Sequence, residues 1–413
     1  MSLLSSNRNY RLLFSASAVS NLGDGVSALA FPWLASLITR DPVMIAAVTA
    51  ATRLPWLLFT IPAGVLTDRA DRRRLMVMAD LLRLVLTAGV IGLIVALPSL
   101  PLKGPAGGYV VGLSGLAFLL GTAEVVRDNA AQTTLPSIVN PGDLERANGQ
   151  IWSIEQIMGS FVGPPLAGVL IAYAVPAPFA LDALTFLLAA WAVWLIAVPP
   201  RLAPPKRPIM TEVRDGIAYL WANRTLRRLA LMLGVVNAVA TAAVTVLVLF
   251  SQEILGLDGF GHGLLLTAGA AGGVIGGLVC PWVVARLGPQ RSIMVVLGLF
   301  PLPFLAIALT SSVWVTAAAL FMEMFAALLW NVVTVSYRQR LIPDGLLGRV
   351  NSIYRFFGWG LMPLGAILGG LLVTWSEPSF GRETALRLPY MASFAVAAFT
   401  AIYGWWRLRL DRT

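Results

Sequence analysis

Long apolar runs dominate this chain. They recur at roughly 10–38, 43–66, 74–97, 108–130, 150–175, 178–199, 226–254, 261–286, 290–311, 313–337, 350–375 and 384–406. A bilayer core about 30 Å thick asks for about 20 apolar residues of helix, so each run is long enough to cross. The pattern predicts an all-α integral membrane protein of twelve transmembrane helices. The longest polar interruption, Pro199 to Arg228, holds Pro199-Pro200, Pro204-Pro205 and an amphipathic stretch from Ile209 to Trp221. It predicts a linker at 200–225 with an amphipathic helix, joining six-helix bundles at 1–199 and 226–413.

Two internal matches make those bundles look like copies of each other. Arg8-Asn9-Tyr10-Arg11 leading to Asn21 corresponds to Arg224-Thr225-Leu226-Arg227 leading to Asn237, and Gly142 to Asn148, with Arg146, corresponds to Gly345 to Asn351, with Arg349. A parallel repeat of this kind predicts two pseudo-symmetric bundles around a central cavity.

Composition narrows the function. Hydrophobic residues are 58% of the 413 positions and charged residues 12%, against roughly 25% charged in soluble domains. One cysteine, Cys280, and one histidine, His262, leave no disulfide framework, no Cys/His metal cluster and no nucleophile–histidine pair, so no catalytic residues are expected. No P-loop for ATP occurs and no cofactor is expected. The net charge of +10 is spread through the short gaps between apolar runs, which points to membrane orientation and not to nucleic acid. Only Arg40, Lys103, Arg382 and Arg387 fall on one side and Arg53 and Arg83 inside spans, which leaves 24 of the 30 basic residues on the other. The positive-inside rule then puts both termini in the cytoplasm. Arg8 and Arg11 precede the first span and no small-residue cleavage site follows, so that helix is expected to be retained.

Between the second and third spans stands Gly64-Val65-Leu66-Thr67-Asp68-Arg69-Ala70-Asp71-Arg72-Arg73-Arg74-Leu75. Here the chain resembles the major facilitator superfamily, whose cytoplasmic loop motif reads Gly-x-Leu-x-Asp-Arg-x-Gly-Arg-Arg; Asp71 stands in place of the second glycine. The resemblance covers essentially the whole chain and lies closest to the exporter subgroup of enterobactin, macrolide and multidrug efflux proteins. It implies that Gly64, Asp68, Arg69, Arg72, Arg73 and Arg74 form a cytoplasmic gate that latches the two halves, the bland alternative being a purely topogenic basic loop. In the fifth span, Gly159-Ser160-Phe161-Val162-Gly163-Pro164-Pro165-Leu166-Ala167-Gly168 resembles the antiporter motif Gly-x-x-x-Gly-Pro-x-x-Gly-Gly, with Gly159, Gly163, Pro164 and Gly168 matching. Small residues let helices approach and proline permits bending, although such spacing also serves ordinary packing.

Ionisable residues inside spans cost about 2.5–3.5 kcal/mol each at a helix centre, so their retention suggests function or pairing. Asp24, within Asn21-Leu22-Gly23-Asp24-Gly25, and Arg53 are expected to face each other and neutralise one another across the cavity. Glu323 has no basic neighbour on its own helix and is either a proton carrier or a structural glutamic acid bonded to a neighbouring helix. Asn21, Asn237, Trp330 and Asn331 complete the candidate cavity, with Trp33, Trp56 and Trp359 as either cavity aromatics or interface anchors. Asp80 and Arg83, three apart, share a helix face and read as a structural pair. Glu124, Arg127, Asp128 and Glu155, with Arg146 and Arg349, read as a gating network. Asp182 and Glu253 read as outer-end residues without a function.

The expected protein is a proton-coupled exporter of lipophilic drugs or a siderophore-like metabolite, monomeric, in a bacterial inner membrane. Its expected partners are a small-molecule substrate, protons and the lipid bilayer. An importer or symporter on the same fold, or a non-transporting membrane sensor, is the alternative.

Overall fold

The computed structural model describes residues 3–140, 143–197, 209–342, 350, 353–354 and 356–410. Arg349 and most of the second copy of the Gly142–Asn148 match lie outside the described residues, as do residues 200–208 of the linker and the side chains of Asp68, Arg69 and Arg146.

The described elements are helices: α1 (Leu3–Ser6), α2 (Arg8–Ile38), α3 (Pro42–Arg69), α4 (Arg72–Ala96), α5 (Gly107–Ile138), α6 (Leu144–Gln156), α7 (Gly163–Tyr173), α8 (Ala177–Trp194), α9 (Ile209–Ala222), α10 (Arg224–Glu253), α11 (Gly259–Leu299), α12 (Leu302–Leu309), α13 (Val313–Leu341), and two more at Met362–Phe380 and Arg382–Arg407. Eleven helices among the described residues are long and apolar enough to cross a membrane. Helix α2, 31 residues long, is not one of them, because Ser15, Ser17, Ser20, Asn21, Asp24 and Ser27 dilute its apolar surface. The run α11 turns at Gly288, where φ is 74°; only glycine adopts that angle without strain, and the turn separates the eighth apolar run from the ninth.

Local chemistry explains the boundaries. Asn7 accepts the backbone N–H of Tyr10 at the start of α2, and Asn223 accepts that of Leu226 at the start of α10, both at 2.9 Å. The repeat thus extends one residue upstream into an identical N-cap, which satisfies an otherwise orphaned donor. Asp71, the departure from the loop motif, caps α4 by accepting the N–H of Arg74 at 3.2 Å. Its φ of −66° needs no glycine. Between α6 and α7 the chain makes a π-helical turn, Ile157–Val162, in which the Gly163 N–H bonds to the Met158 carbonyl five residues back. Pro164 and Pro165 have no N–H to return to the carbonyls four residues before them, so the ladder slips by one residue.

Two compact units result, the first comprising Met1–Arg40, Ala51–Lys206 and Asp258–Leu264, the second Asp41–Ala50, Arg207–Leu257 and Leu265–Thr413. In the first, α2 packs against α5, α6, the π turn, α7 and α8, while α4 packs against α5 and α8. The seam between α2 and the π segment is made of glycine: a Cβ on Gly25 would sit 2.1 Å from the Gly159 carbonyl oxygen, and one on Gly163 would sit 2.6 Å from the Gly25 backbone. In the second unit, α10 packs against Met362–Phe380 and Arg382–Arg407. A Cβ on Gly365 would meet the Ala238 carbonyl at 2.1 Å, so the same small-residue seam recurs there.

Candidate functional site

The centre of the first unit is charged. On α4, Asp80 and Arg83 face inward, 0% and 2% exposed. Arg83 donates to the Asp24 carboxylate of α2 and, at 3.2 Å, to the Ser20 hydroxyl one turn earlier. Its guanidinium also lies 3.9 Å from the ring centroid of Phe186 on α8. Asp80 stands 3.8 Å from Arg83 and 3.7 Å from Arg127 of α5, and Arg127 stands 3.3 Å from Asp128. Glu124, one turn before Asp128, feels Asp24, Arg83, Asp128 and Arg53; the charges of Asp128, Arg127 and Asp24 reach Glu155. Behind Arg83, Asp182 of α8 is 2% exposed and accepts from Ser27 at 2.5 Å.

Burial sorts these groups. Asp80, Arg83 and Arg127 are sealed, whereas Asp24 and Asp128 have 28% and 33% of their side chains exposed and Glu124 and Glu155 are half-buried. The arginines therefore stand behind a face that presents carboxylates. The sealed guanidiniums supply the counter-charge that makes an ionised carboxylate tolerable there.

Several expectations change. Asp24 pairs with Arg83, not with Arg53: the Asp80/Arg83 face of α4 turns inward, while Arg53 lies on an exposed face of α3 within reach of Glu124. Arg83 is accordingly more than the structural partner of Asp80. Asp182 has partners in the charged centre, which its reading as an outer-end residue without a function did not anticipate; the signal available was an acid inside the apolar run 178–199. Trp330, 4% exposed, lies in the apolar core of the second unit, while its neighbour Asn331 is exposed. Asn21 bonds to the Ser17 carbonyl of its own helix and Asn237 to the Gly358 carbonyl, at 2.9 and 2.8 Å. Glu323 is 2% exposed, with no hydrogen-bond partner at Oε1 and with Tyr390 within electrostatic reach.

In the loop motif, Arg72 is buried and donates to the Thr67 carbonyl at 3.3 Å and to the Thr133 carbonyl of α5, and Arg73 donates to the Ile196 carbonyl at 3.3 Å beyond α8. These bonds tie the loop to α5 and α8 of its own unit; Arg74, exposed, reaches Asp71. At the far end of the antiporter-like motif, Gly168 and Pro164 back onto the Gly259–Gly263 segment, and Trp33 lies 5.9 Å from His262, centroid to centroid. Trp33 is thus buried inside the unit and Trp359 is partly exposed.

The chain matches the transmembrane secretion effector family over residues 4–401. It is 27% identical to the multidrug efflux pump Tap of Mycobacterium tuberculosis, covering 94% of this chain and 92% of that protein. It is also 27% identical to the enterobactin exporter EntS of Salmonella choleraesuis, over 90% of this chain and 87% of that one. Among solved structures it superposes on a bacterial homologue of the iron transporter ferroportin in its inward-facing state, with a TM-score of 0.76, 19% identity and coverage of 97% and 99%. A D-xylose–proton symporter gives a TM-score of 0.75 at 12% identity, covering 98% of each chain. At those identities the likeness shows the fold, that of the major facilitator transporters. With the family match spanning nearly the whole chain, the protein belongs to the transmembrane secretion effector family of the major facilitator superfamily and is a multi-pass membrane transporter of a small molecule, not an enzyme.

Proposed function

We propose that the protein is a proton-coupled exporter, an antiporter of lipophilic drugs or of a siderophore-like metabolite, working by alternating access in a bacterial inner membrane. Twelve helices in two pseudo-symmetric bundles, 1–199 and 226–413, rock about a midplane site as a monomer, with the linker at 200–225 and both termini in the cytoplasm. Export, and not import or sensing, is supported by the relatives' names, an efflux pump and an exporter.

The observation that carries the coupling is the Asp24–Arg83 pair. Asp24 is partly open and titratable, Arg83 is sealed and permanently charged. Protonating Asp24 breaks the pair and leaves a buried guanidinium seeking another carboxylate, a change costly enough to bias helix packing. Glu124, Asp128 and Glu155 extend the acidic face along α5 and α6, where protons or a cationic substrate exchange. Arg146 and Arg349 join them in gating, and Asp68 and its arginines latch the cytoplasmic ends.

Cells expressing the protein should lose a fluorescent lipophilic cation, ethidium, in a manner abolished by a protonophore. Asp24→Asn should reduce that uphill efflux by about tenfold or more, the scale of ordinary site-to-site coupling. Undiminished efflux by the variant would remove Asp24 from the coupling scheme, and accumulation in place of loss would favour the importer.

A further inference from the structure

Asp182 is a buried acid that the transport scheme so far does not use, and its surroundings are built. It sits on α8, which packs against α2, α4 and α7. Its Oδ2 accepts from Ser27, one turn beyond Asp24 on α2, at 2.5 Å, and Thr185 lies 3.5 Å from its Oδ1. Gly23, the neighbour of Asp24, leaves the space that the carboxyl fills: a Cβ there would stand 2.2 Å from both Asp182 Oδ1 and Thr185 Oγ1. One turn along α8 from Asp182, Phe186 lies under the Arg83 guanidinium.

The charged groups facing Asp182 are few. Helix α2 contributes Asp24, α4 contributes Arg83 with Asp80 behind it, and α7 contributes none among the described residues. Asp24 pairs directly with Arg83, the charge of Asp182 reaches the same guanidinium from α8, and Glu124 and Asp80 act on it as well, Asp80 being shared with Arg127. Ionising Asp24 and Asp182 together would add a second negative charge beside a guanidinium that Asp80 already faces, and neutralising both would leave Arg83 only the Asp80 that it shares with Arg127 and the charge of Glu124.

We propose that Asp182 is the second acid of a shared-proton pair with Asp24, a positioning residue that takes over Arg83 when Asp24 is protonated. The proton passes between two carboxyls. Asp24 ionised with Asp182 neutral, and Asp24 neutral with Asp182 ionised, each leave the trio with Arg83 at zero net charge, so the exchange moves a counter-ion between α2 and α8 without an uncompensated charge. Ser27, one turn from Asp24, is able to donate to the ionised carboxyl of Asp182 or accept from the neutral one, so it serves Asp182 in either state. The use of this exchange in transport rests on the proton-coupled reading; the exchange itself does not.

Infrared difference spectroscopy of the full-length protein in lipid, titrated across the neutral range, separates the two. The wild type should show a protonated-carboxyl band that titrates as a coupled pair. Asp182→Asn should move the midpoint of the remaining acid by about one pH unit or more, a tenfold change in proton affinity, and the Asp24→Asn/Asp182→Asn double variant should lose the band. Ser27→Ala, which keeps both carboxyls, should move the midpoint in the same direction as Asp182→Asn and serves if Asp182→Asn does not fold. An Asp24 band with the wild-type midpoint in Asp182→Asn, or in Ser27→Ala where that variant stands in, overturns the pair. A coupled titration in a protein whose ethidium efflux ignores protonophore would instead sink the exporter scheme and leave the pair standing.

Discussion

The interior of the first unit holds Asp80, Arg83, Arg127 and Asp182, each at most 2% exposed and tied to one another or to Asp24 by ion pairs and hydroxyls. The interior of the second is hydrocarbon and aromatic, from Leu226 and Phe250 through Phe304 and Trp330 to Tyr390. Its buried charges among the described residues are Glu323 and, near the end of α13, Arg338, which lies over the Tyr354 ring. Yet the two units share their N-caps and their small-residue seams at Gly25 and Gly365. Scaffold and chemistry therefore differ: both units keep the same caps and glycine seams, while the network of paired buried charges stands in the first.

Four substitutions test that difference. The largest effect is expected for Arg127→Met. It leaves Asp80 sealed without one of its two guanidiniums, and breaking a buried pair costs about 3–5 kcal/mol. Thermal unfolding in detergent should show it as a large drop in midpoint, with Asp80→Asn/Arg127→Met recovering much of the loss. No drop would mean that the charged centre is not part of the first unit's stability.

Gly25→Val and Gly365→Val should each cost about 1–3 kcal/mol by forcing apart backbones already in contact. Similar losses in the same unfolding measurement would confirm that the seam is common to both copies; a loss in only one would break the scaffold half of the comparison.

The smallest effect is expected for Glu323→Gln. Among the described residues the carboxyl has no hydrogen-bond partner at Oε1 and no ion pair, so an isosteric neutral amide should change stability by less than about 1 kcal/mol. Protonophore-sensitive efflux should also survive. If it falls as far as in Asp24→Asn, the second unit carries a coupling group too and the two halves are functionally closer than their interiors imply.

Much of this was legible in one dimension. The apolar runs anticipated the helices, including the break at Leu287-Gly288-Pro289, and Asn7 and Asn223, each one residue before the matching Arg8 and Arg224, make the same cap. The two loop and span motifs carried the family. The partners of the ionisable residues were less legible. Mid-span position pairs Asp24 with Arg53 in the sequence, but depth in a span says nothing about which way a helix face turns. Asp182 reads as an outer-end residue for a similar reason: its place near one end of an apolar run does not reveal the niche that Gly23 opens for it on another helix.

Sequence alone determined the class of protein, since the demand of a bilayer for satisfied backbone groups and about 20 apolar residues per crossing is a local demand, written in consecutive residues. It also determined where helices start and bend, because caps and prolines act on their own backbone. Only the tertiary structure decided that Arg83 serves Asp24, that Arg127 backs Asp80 and that Asp182 joins them. Those choices depend on the rotation of each helix about its axis, which is set by packing among residues far apart in the chain.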